Sequence, residues 1–370
     1  MLTFTNKLTA ALPYQFDPNL SIQPSDLLFF DIETTGLSAD VSSVYLIGCC
    51  FYENNCWNLI QWFADDYISE KTLLKEFIQF SSRYRVIVHF NGSGFDIPYL
   101  EKKMKHHQIA FCFSDFLSID LYKKIKPYKT LLHLPNVKQK SVENFIGIHR
   151  EDEYSGGELI EVYTQYMKSK FARTKDLNPL LHKLLLHNAE DVSNLILLSS
   201  VLSYSALFES RHTVTKAYQQ DFTLYLEFTL KNPIKNPIFY ETEEIALSVC
   251  NQLGSLRIKT FQGECKYFYP NYKDYYYLPL EDTAIHKSVA QFVDKEHKVK
   301  AKAATCYIKK QGVFIPQFTL GMEPKFQINV KDKTTFLELT DSFLSDNRML
   351  SDYVSILLKT IVHEAKHLSK

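Results

Sequence analysis

The 370-residue sequence lacks the features that mark several common protein classes. No unbroken apolar run approaches the roughly 20 residues that span a bilayer, and the first residues hold no apolar stretch long enough for a secretory signal. The seven cysteines form no C-x-x-C pair and are not matched by spaced histidine pairs, which argues against a zinc site or a disulfide framework. We therefore expect a cytoplasmic protein with mostly buried thiols and no membrane partner.

An excess of charge is also lacking. The 42 basic residues balance the 42 acidic ones, so the chain shows no global basic signature of a nucleic-acid binder. Hydrophobic residues, by contrast, are plentiful. They make up 45% of the sequence, which is too much for a disordered protein. The length exceeds that of one ordinary domain and suits two.

The hydrophobic pattern of the first 204 residues separates a lead-in from a domain. Residues 1–25 are expected to form a loose lead-in. Residues 26–204 are predicted to hold three strands, a helix, a strand, a helix, a strand and then helices. The corresponding ranges are 27–33, 44–52, 56–63, 69–84, 85–90, 96–106, 115–122 and 141–203. This order predicts an α/β domain with a mixed sheet flanked by helices.

The pattern changes after about residue 205 and predicts a second, α+β domain with antiparallel strands over residues 205–370. The predicted elements are strands over 219–230, 255–261 and 265–278, a helix over 284–303, a hairpin around Gln311-Gly312 that joins 305–310 to 312–318, and a helix over 345–367.

Two acidic residues end the predicted strand 27–33. Residues i and i+2 of a strand point to the same face, so Asp31 and Glu33 project together while Ile32 faces the core. Two acids at the end of an apolar strand are unfavourable unless a cation compensates them, and Mg²⁺ or Mn²⁺ suits all-oxygen ligands. The other D-x-E of the chain, residues 294–296, lies in a charged stretch that suits a solvated surface.

Two further motifs carry acids that have ordinary explanations when each motif is taken alone. Asp96 follows a strand and a glycine-rich turn and stands at a helix start, where Asp is a common N-cap. His187 and Asp191 are four residues apart on a predicted helix, so they share one face, as in a solvent-facing polar patch.

The combination of the three motifs has more meaning than each alone. A strand-borne D-x-E, then N-x-x-x-F-D after a later strand, then a helical H-x-x-x-D resembles the DEDD exonuclease superfamily of the RNase H-like fold, over about residues 25–203. Segments 118–126, 134–152 and 155–163 resemble its YprB-like branch of predicted nucleases. The resemblance implies a 3′–5′ exonuclease acting on DNA or RNA, with a single-stranded 3′ end as the expected substrate.

The resemblance also implies roles for single residues. The four acids Asp31, Glu33, Asp96 and Asp191 would hold two Mg²⁺ or Mn²⁺ ions roughly 4 Å apart, which activate a water and stabilise the leaving oxygen. Residues that follow the D-x-E or precede Asp96 would hold the terminal nucleotide. These residues are Thr34, Thr35, Leu37, Asn91 and Phe95.

His187 departs from the superfamily pattern. The two main subclasses have a tyrosine four residues before the last Asp or a histidine five residues before it, and His187 stands four before Asp191. A neutral imidazole could still orient or deprotonate the attacking water, so His187 is kept as a catalytic residue. Asp120, an extra acid at a predicted strand end, is not expected to bind metal.

Two other interpretations stay open. The chain could be a nucleic-acid-binding protein with a nuclease fold and little catalysis, although four adjacent acids facing a polyanion argue against binding alone. It could also be an unrelated α/β enzyme. In the second domain, residues 265–279 interleave Lys266 and Lys273 with seven aromatic residues. Aromatic stacking and lysines could hold nucleic acid, whereas alternating tyrosines also suit an ordinary strand.

Overall fold

The computed structural model describes residues 1–16, 21–173, 176–318 and 321–367. Within these ranges the chain forms two compact units, residues 1–205 and 206–370.

A mixed six-stranded sheet forms the centre of the first unit, as the sequence predicts. The strands are β1 (Leu2–Leu8), β2 (Leu27–Thr34), β3 (Val44–Glu53), β4 (Cys56–Phe63), β5 (Val86–His89) and β6 (Leu117–Asp120). Their order is β1-β4-β3-β2-β5-β6. The neighbours β2, β5 and β6 are parallel, and the remaining pairs are antiparallel. The carboxyl ends of β2, β5 and β6 therefore lie at the same edge of the sheet.

Strands β2, β3 and β4 follow from their apolar runs. The first four residues of β2 are fully buried, as expected for an interior strand. Asn54 and Asn55 join β3 to β4 and both have positive φ, which is the backbone conformation of a tight hairpin turn and one that Asn tolerates. Strands β3 and β4, which the sequence predicts over 44–52 and 56–63, therefore form a hairpin.

Helices cover the sheet of the first unit. They are α1 (Glu70–Ser81), α2 (Asp96–His106), α3 (Leu121–Ile125), α4 (Gln139–Phe145), α5 (Gly156–Ala172), α6 (Asn178–Leu198) and α7 (Leu202–Glu209). Helix α1 buries Leu73, Leu74 and Phe77, as its amphipathic spacing predicts. Helix α6 packs directly against β2, β3 and β4. It is the element that faces the acidic end of β2.

The N-terminal residues differ from the expected loose lead-in. Strand β1 pairs with β4 over its whole length, from Leu2 opposite Phe63 to Leu8 opposite Trp57. Its side chains alternate only weakly between partly buried and exposed. An edge strand has just one neighbour and one half-covered face, so its hydrophobic signal is too faint to separate it from a loop.

One helical stretch passes the length and composition test for a membrane span, whereas the sequence predicts none. It runs over Asn178–Glu209, and 67% of its most apolar window is buried inside the protein. The core helix of a globular domain passes the same test, so this is weak evidence for a membrane.

The second unit contains three antiparallel sheets, in agreement with the predicted α+β class. The first sheet has the order β7-β8-β11-β10-β9, the second is a closed barrel of β12, β16, β18 and β17, and the third has the order β14-β13-β15. The strands are β7 (Thr213–Gln220), β8 (Thr223–Thr229), β9 (Ile238–Glu241), β10 (Ile245–Cys250), β11 (Leu253–Lys259), β12 (Phe261–Phe268), β13 (Tyr275–Leu278), β14 (Thr283–His286), β15 (Val299–Lys300), β16 (Tyr307–Gln317), β17 (Phe326–Gln327) and β18 (Thr335–Glu338).

The helices of the second unit are α8 (Lys287–Ala290), α9 (Asp341–Ser345) and α10 (Asn347–His367). Helix α10 confirms the predicted C-terminal helix and buries one apolar stripe. The hydroxyl of Tyr353 within that stripe donates a 2.9 Å hydrogen bond to the carbonyl of Pro316 in β16. A buried tyrosine is thus satisfied while it joins the helix to the barrel.

Two predictions for the second unit are wrong. The helix predicted over residues 284–303 is replaced by β14, the single helical turn α8, a 3-10 turn and β15. The hairpin predicted around Gln311-Gly312 is the interior of one continuous strand, β16, where Gly312 lies opposite Gly263 of β12. A Cβ on Gly263 would come within 2.8 Å of the Phe261 ring, so glycine marks close packing in a barrel strand here and not a turn.

Candidate active site

The acidic end of β2 faces helix α6. Asp31 lies opposite Gly48 of β3, and Glu33 lies opposite Leu46. The Asp31 Oδ2 atom accepts a hydrogen bond from Asn188 Nδ2 of α6 at 3.3 Å. Ile32 packs into the core on the other face, so the two carboxylates project together as the D-x-E spacing predicts.

Asn188 fixes the distance between α6 and the sheet. It is fully buried, and its Oδ1 atom accepts a 2.9 Å hydrogen bond from Gln61 Nε2 of β4. A Cβ on Gly48 would lie 2.1 Å from that same oxygen, so only glycine at this position allows the observed approach. Asn188 therefore holds the next residues of α6 beside Asp31 and Glu33.

His187 and Asp191 lie on the turn of α6 that faces Glu33. The His187 Nε2 atom is 3.1 Å from Asp191 Oδ2 and 3.7 Å from Glu33 Oε1. Ligand atoms of Glu33, His187 and Asp191 all lie within 4.8 Å of one another. The pair four residues apart is therefore not a solvent-facing patch, because His187 is buried and directed toward the acids.

Asp96 reaches the same site from the start of α2. Its carboxylate is buried, and the nearby backbone of Ile32, the residue between Asp31 and Glu33, partly offsets the effect of burial on the Asp96 pKa. The turn before α2 is held by Asp120, whose Oδ1 atom accepts hydrogen bonds from the backbone N–H of Asn91 at 2.9 Å and of Tyr122 at 3.1 Å. Asp120 thus organises the turn that presents Asp96, a role that needs no metal.

The electrostatics of the site show uncompensated negative charge. Burial, followed by repulsion from Asp191, Asp96 and Glu33, raises the pKa of Asp31 well above its usual value. Burial likewise raises the pKa of Glu33 to about 8, against the opposing effect of the His187 charge, and the pKa of Asp96 to about 7. Three of the four acids therefore resist ionisation in the metal-free protein.

Asp191 differs from the other three acids. Burial alone would raise its pKa, but the hydrogen bond and charge of His187, together with the charge of Arg150, lower it. At His187 burial would lower the pKa, but the hydrogen bond to Asp191 and the charges of Asp191, Glu33 and Asp152 outweigh it and raise the pKa to about 9. The Arg150 guanidinium forms an ion pair with Asp191 and a two-pronged contact with Glu143, with Nη2 2.6 Å from Glu143 Oε1.

The residues present fit a divalent cation. Four carboxylates supply only oxygen donors, which Mg²⁺ and Mn²⁺ prefer, and a bound cation would offset the burial and the mutual repulsion that raise the pKa values of three of them. Asp31, Glu33, Asp96 and Asp191 are the residues that could hold such ions. The exposed D-x-E at residues 294–296 lacks this setting, since its acidic side chains are open to solvent.

The residues predicted to hold a nucleotide lie in two loops. In the first, Thr34 Oγ1 donates to the Gly36 carbonyl at 2.9 Å, and Thr35 Oγ1 accepts from the Ser43 N–H at 2.9 Å. Leu37 in the same loop is 87% exposed. In the second loop, Asn91 is exposed and has a positive φ of 62°, and Phe95 packs against Tyr99. Both threonine hydroxyls form hydrogen bonds within the loop. Leu37 is the apolar side chain of this loop that is exposed for contact with a ligand.

The aromatic segment 265–279 packs against itself and against other residues of the second unit. The ring of Tyr269 stacks on that of Tyr275 with centroids 4.4 Å apart, and Lys266 Nζ lies 4.5 Å from the Tyr307 ring centroid. These contacts favour a structural role for the segment. Nucleic-acid or partner binding by residues 205–370 stays a prediction.

Sequence reasoning missed four residues that shape the site: Arg150, Asp152, Asn188 and Glu143. Asn188 follows His187 directly, and a polar residue inside an apolar helix was the available signal. Arg150 and Asp152 lie in the segment 134–152 that carries the family resemblance, but no spacing rule connects them to α6. Their roles follow only from tertiary contacts.

Comparison with protein families agrees with this fold. Residues 28–203 match the model RNase_H_2 of the RNase_H superfamily. A comparison with curated proteins gave no match.

Solved structures show lower similarity. A family B DNA polymerase from the hyperthermophilic archaeon Pyrobaculum calidifontis is 12% identical with a TM-score of 0.36, and the match covers 65% of this chain and 33% of the polymerase. An exonuclease I structure is 13% identical with a TM-score of 0.25, covering 60% of this chain and 55% of that one. A zinc-bound E. coli ExoI–ssDNA complex is 12% identical with a TM-score of 0.26, covering 92% and 73%. Similarity at this level assigns no substrate or direction of cleavage.

The raised pKa values predict that metal binding releases protons. Below pH 7 the carboxyls of Glu33 and Asp96 are largely protonated in the metal-free protein, so a cation must displace those protons. Apparent Mn²⁺ affinity should therefore rise from pH 6 to about pH 8 and level off above that. Calorimetric titration in two buffers with different ionisation enthalpies measures both effects. An affinity that does not change with pH, with equal heats in both buffers, would contradict this electrostatic description.

Proposed function

We propose that this chain is a metal-dependent 3′–5′ exonuclease that hydrolyses phosphodiester bonds of DNA or RNA. The observation that carries the proposal is the convergence of four carboxylates from β2, α2 and α6 beside a buried histidine. Structural acids are rarely buried together without paired cations, so this arrangement favours a site that works with bound metal.

The proposed roles follow from the geometry. Two Mg²⁺ or Mn²⁺ ions held by Asp31, Glu33, Asp96 and Asp191 would supply charge stabilisation for the attacking and leaving oxygens. The protein itself holds the ligands in place, because Asn188 donates a hydrogen bond to Asp31 and helix α2 begins at Asp96. His187 presents Nε2 on the side of Glu33 and Asp191, where it can orient the attacking water. It could take the proton of that water once bound cations offset the negative charge that raises the imidazole pKa to about 9.

The terminal nucleotide would bind beside the acids, against the loops that hold Thr34, Thr35, Leu37, Asn91 and Phe95. Exposed Leu37 offers an apolar contact for a base or sugar immediately after the D-x-E. Such a contact suits an unpaired end, since a paired base would not be free to pack on it. A single-stranded 3′ end is therefore the proposed substrate.

Nucleic-acid binding with little catalysis is the alternative, and one observation favours it. Arg150 pairs with Asp191, so a guanidinium occupies an oxygen that a metal ion would need. If this pair persists when metal is offered, the fourth acid is unavailable, and the protein would bind nucleic acid without cleaving it.

Hydrolysis by the four-acid site predicts that Asp31→Asn is nearly inactive. The variant removes the charge of one metal ligand. Loss of a residue that only supports a ligand costs about 10- to 100-fold in activity, so turnover of Asp31→Asn should fall by more than about 100-fold. A panel of end-labelled DNA and RNA oligonucleotides, single and double stranded, with Mg²⁺, Mn²⁺ or EDTA, measures activity and polarity. Asp294→Asn, in the exposed D-x-E, is the matched control and should cleave like wild type. No cleavage with either metal, or an Asp31→Asn variant as fast as wild type, would sink the proposal.

A direct role of His187 predicts different outcomes for two aromatic replacements. His187→Phe should lose most activity because phenylalanine cannot hold or accept a proton. His187→Tyr should keep much of it, since similar enzymes have tyrosine at this spacing. His182→Phe, at an exposed position of the same helix, controls for the helix itself. Initial rates on the best substrate of the panel are compared, and full activity in His187→Phe would remove His187 from the mechanism.

A further inference from the structure

The segment that precedes α5 is fastened to the helix that carries His187. Glu190 of α6 accepts hydrogen bonds from the backbone N–H of Glu151 at 2.8 Å and of Asp152 at 2.9 Å. Arg150 of the same segment pairs with Asp191. Three consecutive residues thus contact α6, and their register along it is fixed.

Asp152 is the residue that this register places against His187. Its side chain is almost fully buried, and its Oδ2 atom is 2.6 Å from His187 Nδ1. The other carboxylate oxygen, Oδ1, accepts a hydrogen bond from the Tyr154 N–H at 3.1 Å. Lys140 Nζ reaches Oδ2 at 3.1 Å from a side chain that is 42% exposed, so Asp152 has a cationic neighbour on its solvent side.

The contact determines which imidazole nitrogen faces the acids. An ionised carboxylate has only acceptor atoms, so His187 Nδ1 must be the donor in the 2.6 Å contact. The second nitrogen, Nε2, then points toward Asp191 and Glu33, at 3.1 and 3.7 Å. This orientation is the one that the proposed role of His187 requires.

We propose that Asp152 is a positioning residue that holds His187 with Nδ1 as donor and Nε2 directed into the four-acid site. The inference rests on the proposed function, but the Asp152–His187 contact can be tested without it. The reason for such a residue lies in the unusual spacing of His187 from Asp191. A tyrosine at this position ends in one polar atom, whereas a histidine has two distinct nitrogens and needs a partner to select between them.

A purely structural role is the competing explanation, because Asp152 also joins Lys140 and Tyr154 within the first unit. The two roles differ in what removal of Lys140 does. If Asp152 only anchors the segment through its ion pair, Lys140→Met should cost as much as Asp152→Asn. If Asp152 acts on His187, Lys140→Met should cost little, because the Asp152–His187 contact remains.

The kinetic test compares Asp152→Asn, Asp152→Glu and Lys140→Met in the full chain, each checked for an unchanged melting transition. Asp152→Asn should lower kcat by about 10- to 100-fold with little change in KM, as for other residues that orient a catalytic group. Asp152→Glu should recover part of that loss, and Lys140→Met should stay within about threefold of wild type. In a His187→Tyr background the Asp152→Asn change should lose most of its effect, since no imidazole remains to be oriented.

A spectroscopic measurement gives a readout that does not depend on activity. In metal-free protein labelled with ¹⁵N-histidine, the Nδ1-bound proton of His187 should give a slowly exchanging resonance that His187→Tyr identifies and Asp152→Ala abolishes. That resonance together with the kinetic pattern supports the inference. A resonance that survives Asp152→Ala, or an Asp152→Asn loss that is equal in the His187→Tyr background, overturns it. A wild-type protein that cleaves nothing rejects the proposed function, and the resonance then still decides whether Asp152 positions His187.

Discussion

The burial and mutual repulsion of the carboxylates at the end of β2 and the start of α2 are the main physical constraint on the first unit. Glu33 and Asp96 are buried and Asp31 is half-buried beside them, and each has a raised pKa because burial and the neighbouring acids oppose ionisation. Isolated, such acids would separate or stay protonated. The apolar interior of β2 and the Asn188 bridge keep them in place. Among the four acids only Asp191 has its pKa lowered by the protein cations His187 and Arg150. The charges of His187 and Arg150 also act on Glu33 and Asp31 but do not offset burial there, so a divalent cation is the charge that these acids need.

The elements that hold these acids could be predicted from sequence because their signals are local. Strands β2, β3 and β4 are long apolar runs, and α2 begins at Asp96 as expected. The convergence of Asp31, Asp96 and Asp191 was indicated by residue type and element type together. The role of Asp152 could not be predicted in this way, because its contacts with His187 and Glu190 form only when its loop packs on α6. Strand β1 was missed for a similar reason: its partner is distant in sequence, from Leu8 opposite Trp57 to Leu2 opposite Phe63 of β4.

The second unit was predicted less well because its structure depends on pairing between strands distant in sequence. Residues 284–303 are rich in lysine and histidine, which suits a helix, yet pairing with β13 makes strands of both ends. Gly312 resembles a turn residue and instead lies inside a barrel strand opposite Gly263. Tyrosines that suggested base stacking, such as Tyr269 and Tyr275, stack on each other. In each case tertiary pairing overrides local propensity.

The position of bound metal is the direct test of whether the four acids hold two cations. Crystals grown with Mn²⁺ and a short single-stranded oligonucleotide would give anomalous peaks at each ion. The account predicts two peaks about 4 Å apart in contact with Asp31, Glu33, Asp96 and Asp191, with Arg150 withdrawn from Asp191. Ions bound only elsewhere, or a site without Mn²⁺ in which Arg150 still pairs with Asp191, would contradict it.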